Sequence, residues 1–298
     1  MLLRKNPILK TTVIILILVG IAALAFYIRM RSFDVLCGTL NMIGGPDGWF
    51  YLRQAELSVA NNLGYVSYDP YILYPGGGGT RTGSLFVRIC ALVAILCGCV
   101  TQIDFISVLS FITPVMAVCM VPVMYFLGKK LGDWKTGLLA AFFIAVLGGQ
   151  YLLRTMYGYI DHHAAETLFS TLFCLSYIIG LSALKDAPSG LSIKMWKKPV
   201  IYGLIAGFTF FLGFQNFYVM SVFAFIVLIF TAIQFIINQR NKKPTEYLLI
   251  FNTVTFLLAA AGYFVMGITG LSEFSAAYFI VHLLPVIITI ILYAVSKV

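Results

Sequence analysis

Three short stretches hold most of the residue types able to do chemistry. The first, Gly44-Gly-Pro-Asp47-Gly-Trp-Phe-Tyr-Leu-Arg53, places a carboxylate in a glycine–proline turn and follows it with aromatics. Asp47 can cap a helix starting at Trp49, and Trp49, Phe50 and Tyr51 suit a membrane headgroup belt. The second, Arg154-Thr-Met-Tyr-Gly-Tyr-Ile-Asp161-His162-His163-Ala-Ala-Glu166, contains two of the three histidines. Asp161 and His163 lie two residues apart at the mouth of a helix. A carboxylate and an imidazole so spaced can grip one cation from a single turn, because both ligate Mn²⁺ and similar metals. Glu166, one helical turn on, could orient either His162 or His163; a solvated helix start is the alternative. The third stretch, Asp69-Pro-Tyr-Ile-Leu-Tyr-Pro-Gly-Gly-Gly-Gly-Thr-Arg81, could cradle a phosphate through glycine N–H groups beside Arg81, or be a flexible loop. It lacks the G-K-[ST] end of a P-loop. Neither H-E-x-x-H nor H-x-x-E-H is present, which excludes those zinc-protease classes.

The elements that position these stretches follow from composition. Apolar residues are 61% of the 298-residue chain, charged residues 10%, and mean hydropathy is +0.97. Too few charges remain to cover a water-facing surface, so soluble, disordered and fibrous classes are excluded. The net charge of +9 sits in short clusters between apolar runs, which indicates membrane topology rather than nucleic-acid binding. Uncharged runs lie at 11–28, 105–128, 136–153, 167–184, 199–239, 247–272 and 274–296. A crossing needs about 20 apolar residues, so 199–239 must divide, and Gly213-Phe-Gln-Asn216 favours a turn there. Eight crossings result. The first has no small-residue cleavage site after it and is expected to stay as an anchor. Segment 84–100, interrupted by Arg88, is expected to lie on the surface or re-enter. The six cysteines show neither a disulfide framework nor zinc spacing, and read as small buried hydrophobes. His282 alone interrupts a span, and reads as a satisfied buried histidine.

With eight crossings, all twelve lysines plus Arg4 and Arg240 share one side, and six arginines take the other. That asymmetry puts the basic side and both termini in the cytoplasm. The external side then holds eight of the eleven acids, both acidic stations, the turn carrying Gln215, Asn216 and Tyr218, and a long first loop at 29–104. Loops of that length are commonly functional.

In order, G-P-D-x-W-[FY]-Y-x-R after the first span, D-P-x-x-x-Y-P-x-G, and R-x-x-x-G-Y-x-D-x-H form a pattern similar to the catalytic subunit of oligosaccharyltransferases. The D-x-H form resembles archaeal members most. The resemblance covers residues 10–240, with weaker support beyond. It implies an all-α transmembrane bundle of the glycosyltransferase C type, to which the charge gaps give about eight spans, with interfacial helices expected in the first external loop. It implies transfer of an oligosaccharide from dolichyl phosphate or diphosphate to asparagine in Asn-X-Ser/Thr of an acceptor protein or peptide. The transfer would be metal-dependent and inverting, at the external face of the plasma membrane. Carried onto this chain, Asp47, Asp161 and His163 would bind Mn²⁺ or Mg²⁺. Asp47, Arg154 and Asp161 would be catalytic, Tyr218, Arg81 and His162 would meet the donor phosphate, and Glu166 would support the ligands. Family members also carry more spans and a C-terminal soluble domain with W-W-D-Y-G, whereas residues 1–298 read as one transmembrane domain without W-W-D. A truncated gene, a split enzyme whose separate chain supplies that domain, and a compact relative are all open. Other readings are a protein O-mannosyltransferase-like enzyme, a non-catalytic donor-binding fragment and a transporter. The last is disfavoured by spans free of charge and by the absence of a repeat.

Overall fold

A computed structural model describes residues 7–33, 43–185 and 193–296. Arg4, Lys5, Asp34, Cys37, Asp186 and Lys297 lie outside the described residues. Among the described residues the regular structure is helical apart from one two-residue ladder, and the chain divides into two compact units, residues 1–63 with 86–171 and residues 64–85 with 172–298.

The first unit begins with α1 (Pro7–Arg29), continued by a 3-10 turn over Met30–Ser32. It contains α2 (Pro46–Ala60), α3 (Leu85–Leu96, from its second residue), α4 (Gln102–Leu109), α5 (Ile112–Leu131), α6 (Trp134–Val146) and α7 (Gln150–Arg154). It ends within α8 (His163–Leu184). Ile14, Ile21 and Ala25 of α1 bury against Val121 and Tyr125 of α5 and Ala141 and Ala145 of α6. A Cβ on Gly137 would lie 2.6 Å from the Tyr125 carbonyl, so α5 and α6 approach through a glycine.

The second unit holds the β1–β2 ladder (Tyr68–Asp69 with Gly78–Gly79), the rest of α8, and α9 (Ile193–Asn216). After a 3-10 turn at Tyr218–Met220 come α10 (Ser221–Arg240), α11 (Glu246–Ile268) and α12 (Ala276–Val295). Gly203 and Gly207 put α9 against α11, and a Cβ on Gly207 would fall 2.4 Å from the Thr255 carbonyl. Small residues four apart let backbones meet in this way where lipid offers helices no hydrophobic drive to associate.

Seven helical stretches among the described residues are long and apolar enough to cross a membrane. The eighth expected crossing, 136–153, is built in two pieces. α6 ends at Val146, and Gly149, at φ +126°, starts α7. Thirteen helical residues rise about 20 Å, short of a hydrocarbon core of about 30 Å. α3 is likewise too short to cross, in keeping with the reading of 84–100. The long run 199–239 breaks at Phe217, one residue beyond the expected turn; Gly213 stays within the helix, and Met220 packs on its bare backbone, with Sδ 2.8 Å from where a Cβ would lie.

The cysteines are not small buried hydrophobes throughout: among the described ones Cys90 is buried, whereas Cys97 and Cys119 are exposed. Arg29, in the stretch Pro7–Ser32, is fully buried, with its guanidinium on oxygens of neutral groups. His282 is buried as expected, with Nδ1 2.7 Å from the Tyr278 carbonyl.

Candidate functional site

Two glycines let the acidic stations of the first unit meet. The Gly44 N–H donates to the Gly158 carbonyl at 2.9 Å, and a Cβ on Gly44 would lie 2.7 Å from the Tyr159 ring. Gly45, at φ +77°, is the N-cap of α2, and Pro46 takes the first helical position, where its fixed φ suits a helix and its missing N–H costs nothing. Asp47 therefore does not cap a helix starting at Trp49. It lies within the first turn, makes no cap bond, and extends a half-exposed carboxylate toward the second station. Its charge still suits the positive end of the helix.

The second station is a tightly held turn. Thr113 Oγ1 of α5 donates to the carbonyls of Tyr159 (2.7 Å) and Met156 (3.3 Å), and the Gly158 N–H donates to the Ser110 carbonyl. The turn brings Arg154, at the end of α7, back onto Asp161. Arg154 Nη1 donates to Asp161 Oδ2 at 2.5 Å and to Asp47 Oδ2 at 3.1 Å. One nitrogen thus holds both carboxylates, and their oxygens lie no further apart than those two distances laid end to end. Asp161 Oδ1 accepts the His163 backbone N–H at 3.2 Å, opening α8, and lies 3.1 Å from His162 Nδ1. Burial opposes the Asp161 charge, but hydrogen bonds from His162, the His163 N–H and Arg154 outweigh it and hold the carboxyl down at about 2. The same bond to Asp161 raises Arg154 still further above neutrality.

Glu166 orients His163 rather than His162: Oε2 is 2.8 Å from His163 Nδ1 and 4.0 Å from His162 Nε2. His162 is buried, its ring 5.0 Å from Tyr51 and 4.2 Å from His163. Asp161, His162 and His163 can each direct one ligand atom within 4.8 Å of the others. This differs from the expected trio in one member, with His162 in place of Asp47. One carboxylate and two imidazoles fit Zn²⁺, and to a lesser degree Mn²⁺, better than Mg²⁺, which favours oxygen ligands. An open pocket of about 310 Å³ lined by Gln150, Tyr151, Arg154, His163 and Thr167 adjoins the group.

The second unit holds the remaining expected residues. Arg81 stacks over Phe217 and Tyr218, at 5.7 and 5.6 Å, and the Tyr218 hydroxyl is 3.5 Å from Glu273 Oε2. Tyr65, Gln215 and Ser272 complete a cleft around them. The buried Gln215 Nε2 and Ser272 Oγ have no hydrogen-bond partner among the described residues. Most of the four-glycine run is taken up in local structure. Gly78 and Gly79 pair in the β ladder, and Gly77, at φ +71°, leaves the space taken by the Tyr68 hydroxyl, which donates to the Gly76 carbonyl. Sequence reasoning gave Tyr51 only a place in the headgroup belt, took Arg29 as the charge that ends the first apolar run, and passed over Ser272, which left no signal.

By its likeness to solved structures and its family match, this helical chain has the glycosyltransferase C type fold. A family model described as oligosaccharyl transferase STT3, N-terminal, matches residues 12–298, and the chain belongs to that family. It is 27% identical over 221 residues to dolichyl-phosphooligosaccharide-protein glycotransferase 3 of Archaeoglobus fulgidus, covering 74% of this chain and 25% of that one. It is 26% identical over 213 residues to dolichyl-monophosphooligosaccharide–protein glycotransferase AglB of Haloferax volcanii, covering 67% and 19%. The chain therefore spans a quarter or less of these relatives. Among solved structures it resembles A. fulgidus AglB in complex with an inhibitory peptide and a dolichol-phosphate, with a TM-score of 0.85 at 24% identity over 97% of this chain and 34% of that one. It also resembles the A. fulgidus oligosaccharyltransferase tethered to an acceptor peptide containing the NVT sequon, with a TM-score of 0.86 at 23% identity, covering 98% and 35%. A further structure of that enzyme, similar over 94% of this chain and 35% of that one at a TM-score of 0.81 and 23% identity, is a complex with Zn and sulfate. The protein is a multi-pass membrane protein.

Proposed function

We propose that this chain forms the transmembrane glycosyl-transfer site of an oligosaccharyltransferase, moving an oligosaccharide from a dolichyl-phosphate or dolichyl-diphosphate donor to asparagine in Asn-X-Ser/Thr. The observation that carries the reading is the meeting of Asp47 and Asp161 on Arg154 beside His163. Both stations would face outside, with the lysine-rich loops and both termini in the cytoplasm.

An amide nitrogen is a poor nucleophile because its lone pair is delocalised, as a rotation barrier of about 18–20 kcal/mol attests. Asp47, half-exposed, would accept the acceptor amide N–H and weaken that conjugation. Arg154 holds Asp47 and Asp161 in register. Asp161, His162 and His163, with Asp47 alongside, would hold a divalent cation. When bound, the cation supplies Lewis-acid stabilisation of the charge growing on the departing phosphate. Glu166 fixes the His163 ring so that Nε2 is free to ligate. Arg81 and Tyr218, in a cleft with the orphan amide of Gln215, would bind phosphate oxygens of the donor. Attack from the face opposite the phosphate would invert the anomeric carbon. A C-terminal domain, on this chain's continuation or on a separate chain, would read the sequon.

The test is transfer from lipid-linked donor to a sequon peptide, with and without Mn²⁺, supplying a relative's C-terminal domain in trans. Asp47→Ala and Asp161→Ala should each abolish transfer. Transfer retained in either variant, or unaffected by chelation, would remove the assignment.

A further inference from the structure

The most unusual side chain of the first unit is one no chemistry has yet been given. Arg29 is wholly buried, and among the described residues no carboxylate pairs with it. Its hydration is replaced by a fork of hydrogen bonds: Nε to Thr155 Oγ1 at 2.8 Å, Nη1 to the carbonyls of Ala25 and Ala145 at 3.0 Å, and Nη2 to the Ile144 carbonyl at 3.3 Å. Ile144 and Ala145 lie in the last turn of α6, where helix carbonyls lack partners and a cation is favoured. Burying a guanidinium is strongly unfavourable unless such bonds are made, and only the planar five-donor fork could serve all four acceptors at once.

The consequence lies one residue from the acidic stations. Thr155 follows Arg154 directly, and its hydroxyl accepts from Arg29 while donating to the Tyr151 carbonyl at 2.7 Å. Two further bonds splint the same stretch to the end of α1: the Tyr157 N–H donates to the Arg29 carbonyl at 2.9 Å, and Ser32 Oγ donates to the Tyr157 carbonyl at 2.8 Å. Where the chain leaves α6 at Leu147–Gly149, no continuous helix fixes the direction of α7. The Arg29 fork supplies that direction.

We propose that Arg29 is a positioning residue. By holding Thr155 against the ends of α1 and α6, it sets the backbone from which Arg154 reaches Asp47 and Asp161. Its effect on glycan transfer rests on the function proposed above; its effect on the position of Arg154 does not.

The experiment uses the full chain in detergent or vesicles and measures phenylglyoxal labelling of Arg154 by site-resolved mass spectrometry, alongside helix content by circular dichroism. Thr155→Val removes the acceptor for Arg29 Nε at nearly constant volume, and Thr155→Ser restores it. Arg154 in Thr155→Val should label about tenfold faster, the factor carried by one hydrogen bond to a charged group, with helix content unchanged. Thr155→Ser should label as the parent does, and Arg29→Lys should label at least as fast as Thr155→Val. Transfer to a sequon peptide should fall in Thr155→Val, recover in Thr155→Ser, and fall no further when Thr155→Val is added to Arg154→Ala. Equal labelling in folded Thr155→Val and parent, no rescue by serine, or additive losses with Arg154→Ala would overturn the proposal. If Arg29→Lys does not fold, the Thr155 pair reads the result alone. If the parent, supplied with a relative's C-terminal domain, transfers no glycan while the labelling difference stands, the positioning role holds and the transferase reading falls.

Discussion

Arg154 and Asp47 are 107 positions apart in the chain, yet Nη1 of one lies 3.1 Å from Oδ2 of the other, and the same nitrogen holds the buried Asp161. The two carboxylates meet the guanidinium in different surroundings, since the Asp47 side chain is 51% exposed and that of Asp161 is 2% exposed.

That difference separates stability from chemistry. An exposed ion pair contributes about 0–1 kcal/mol, whereas disrupting a buried hydrogen-bonded charge costs about 3–5 kcal/mol. Asp47→Asn should therefore melt close to the parent, and Asp161→Asn well below it, while both lose glycan transfer. Thermal unfolding in one detergent reads the first comparison. Equal losses of melting temperature would contradict the burial argument.

The bond from Glu166 to His163 makes a second prediction. Partners that orient a ligating imidazole change metal affinity by roughly 10–100-fold when removed. Glu166→Gln should weaken Mn²⁺ binding within that range, and His163→Ala should weaken it more. Electron paramagnetic titration of Mn²⁺ measures both. Undiminished affinity in Glu166→Gln would place the ion elsewhere.

Close backbone contact predicts a graded response to alanine. A Cβ at Gly207 would overlap the Thr255 carbonyl, and one at Gly48 would lie 2.2 Å from Ile43 Cγ2, while Gly20 has nothing within 4 Å. Overpacking costs about 1–3 kcal/mol. Gly207→Ala and Gly48→Ala should lower the melting temperature, and Gly48→Ala should also weaken Mn²⁺ binding because it shifts the turn bearing Asp47. Gly20→Ala, within α1, should leave stability unchanged or raised by up to about 1 kcal/mol.

Asp133 gives a pH dependence free of the acidic cluster. It caps α6, and the Thr136 backbone N–H above all, with the Thr136 hydroxyl and the Lys135 N–H, holds its carboxyl below the ordinary value of 3.8. The folded value lies below the unfolded one, so the stabilisation is fully present above the ordinary value and fades as pH falls through the lowered one. The melting temperature of the parent should exceed that of Asp133→Ala at neutral pH, and the gap should narrow below about pH 4. A gap constant down to acid pH would deny the cap its charge.

Legibility followed the range of the interactions. Glycine and proline around Asp47 announced a turn, and His163 with Glu166 is a contact within one helical turn, so both could be read locally. The cap assigned to Asp47 was misplaced because Pro46 is better suited to open the helix, which left the carboxylate for a distant arginine. The freedom of the glycines at 76–79 says nothing of what fills the space, which is the Tyr68 ring at Gly77 and the Ile72 side chain at Gly78. Arg29 read as the end of a span because its four acceptors come from three separate stretches.

By itself, the sequence determined that this is a many-span membrane protein with two acidic stations and a family pattern running through them, because hydropathy and local turn chemistry are properties of neighbouring residues. Only the tertiary structure decided that Arg154 joins Asp47 to Asp161, that His162 stands with His163, and that Arg29 is buried. Each of these depends on directional bonds of about 3 Å between side chains whose approach is set by helix packing, and no spacing along the chain encodes that approach.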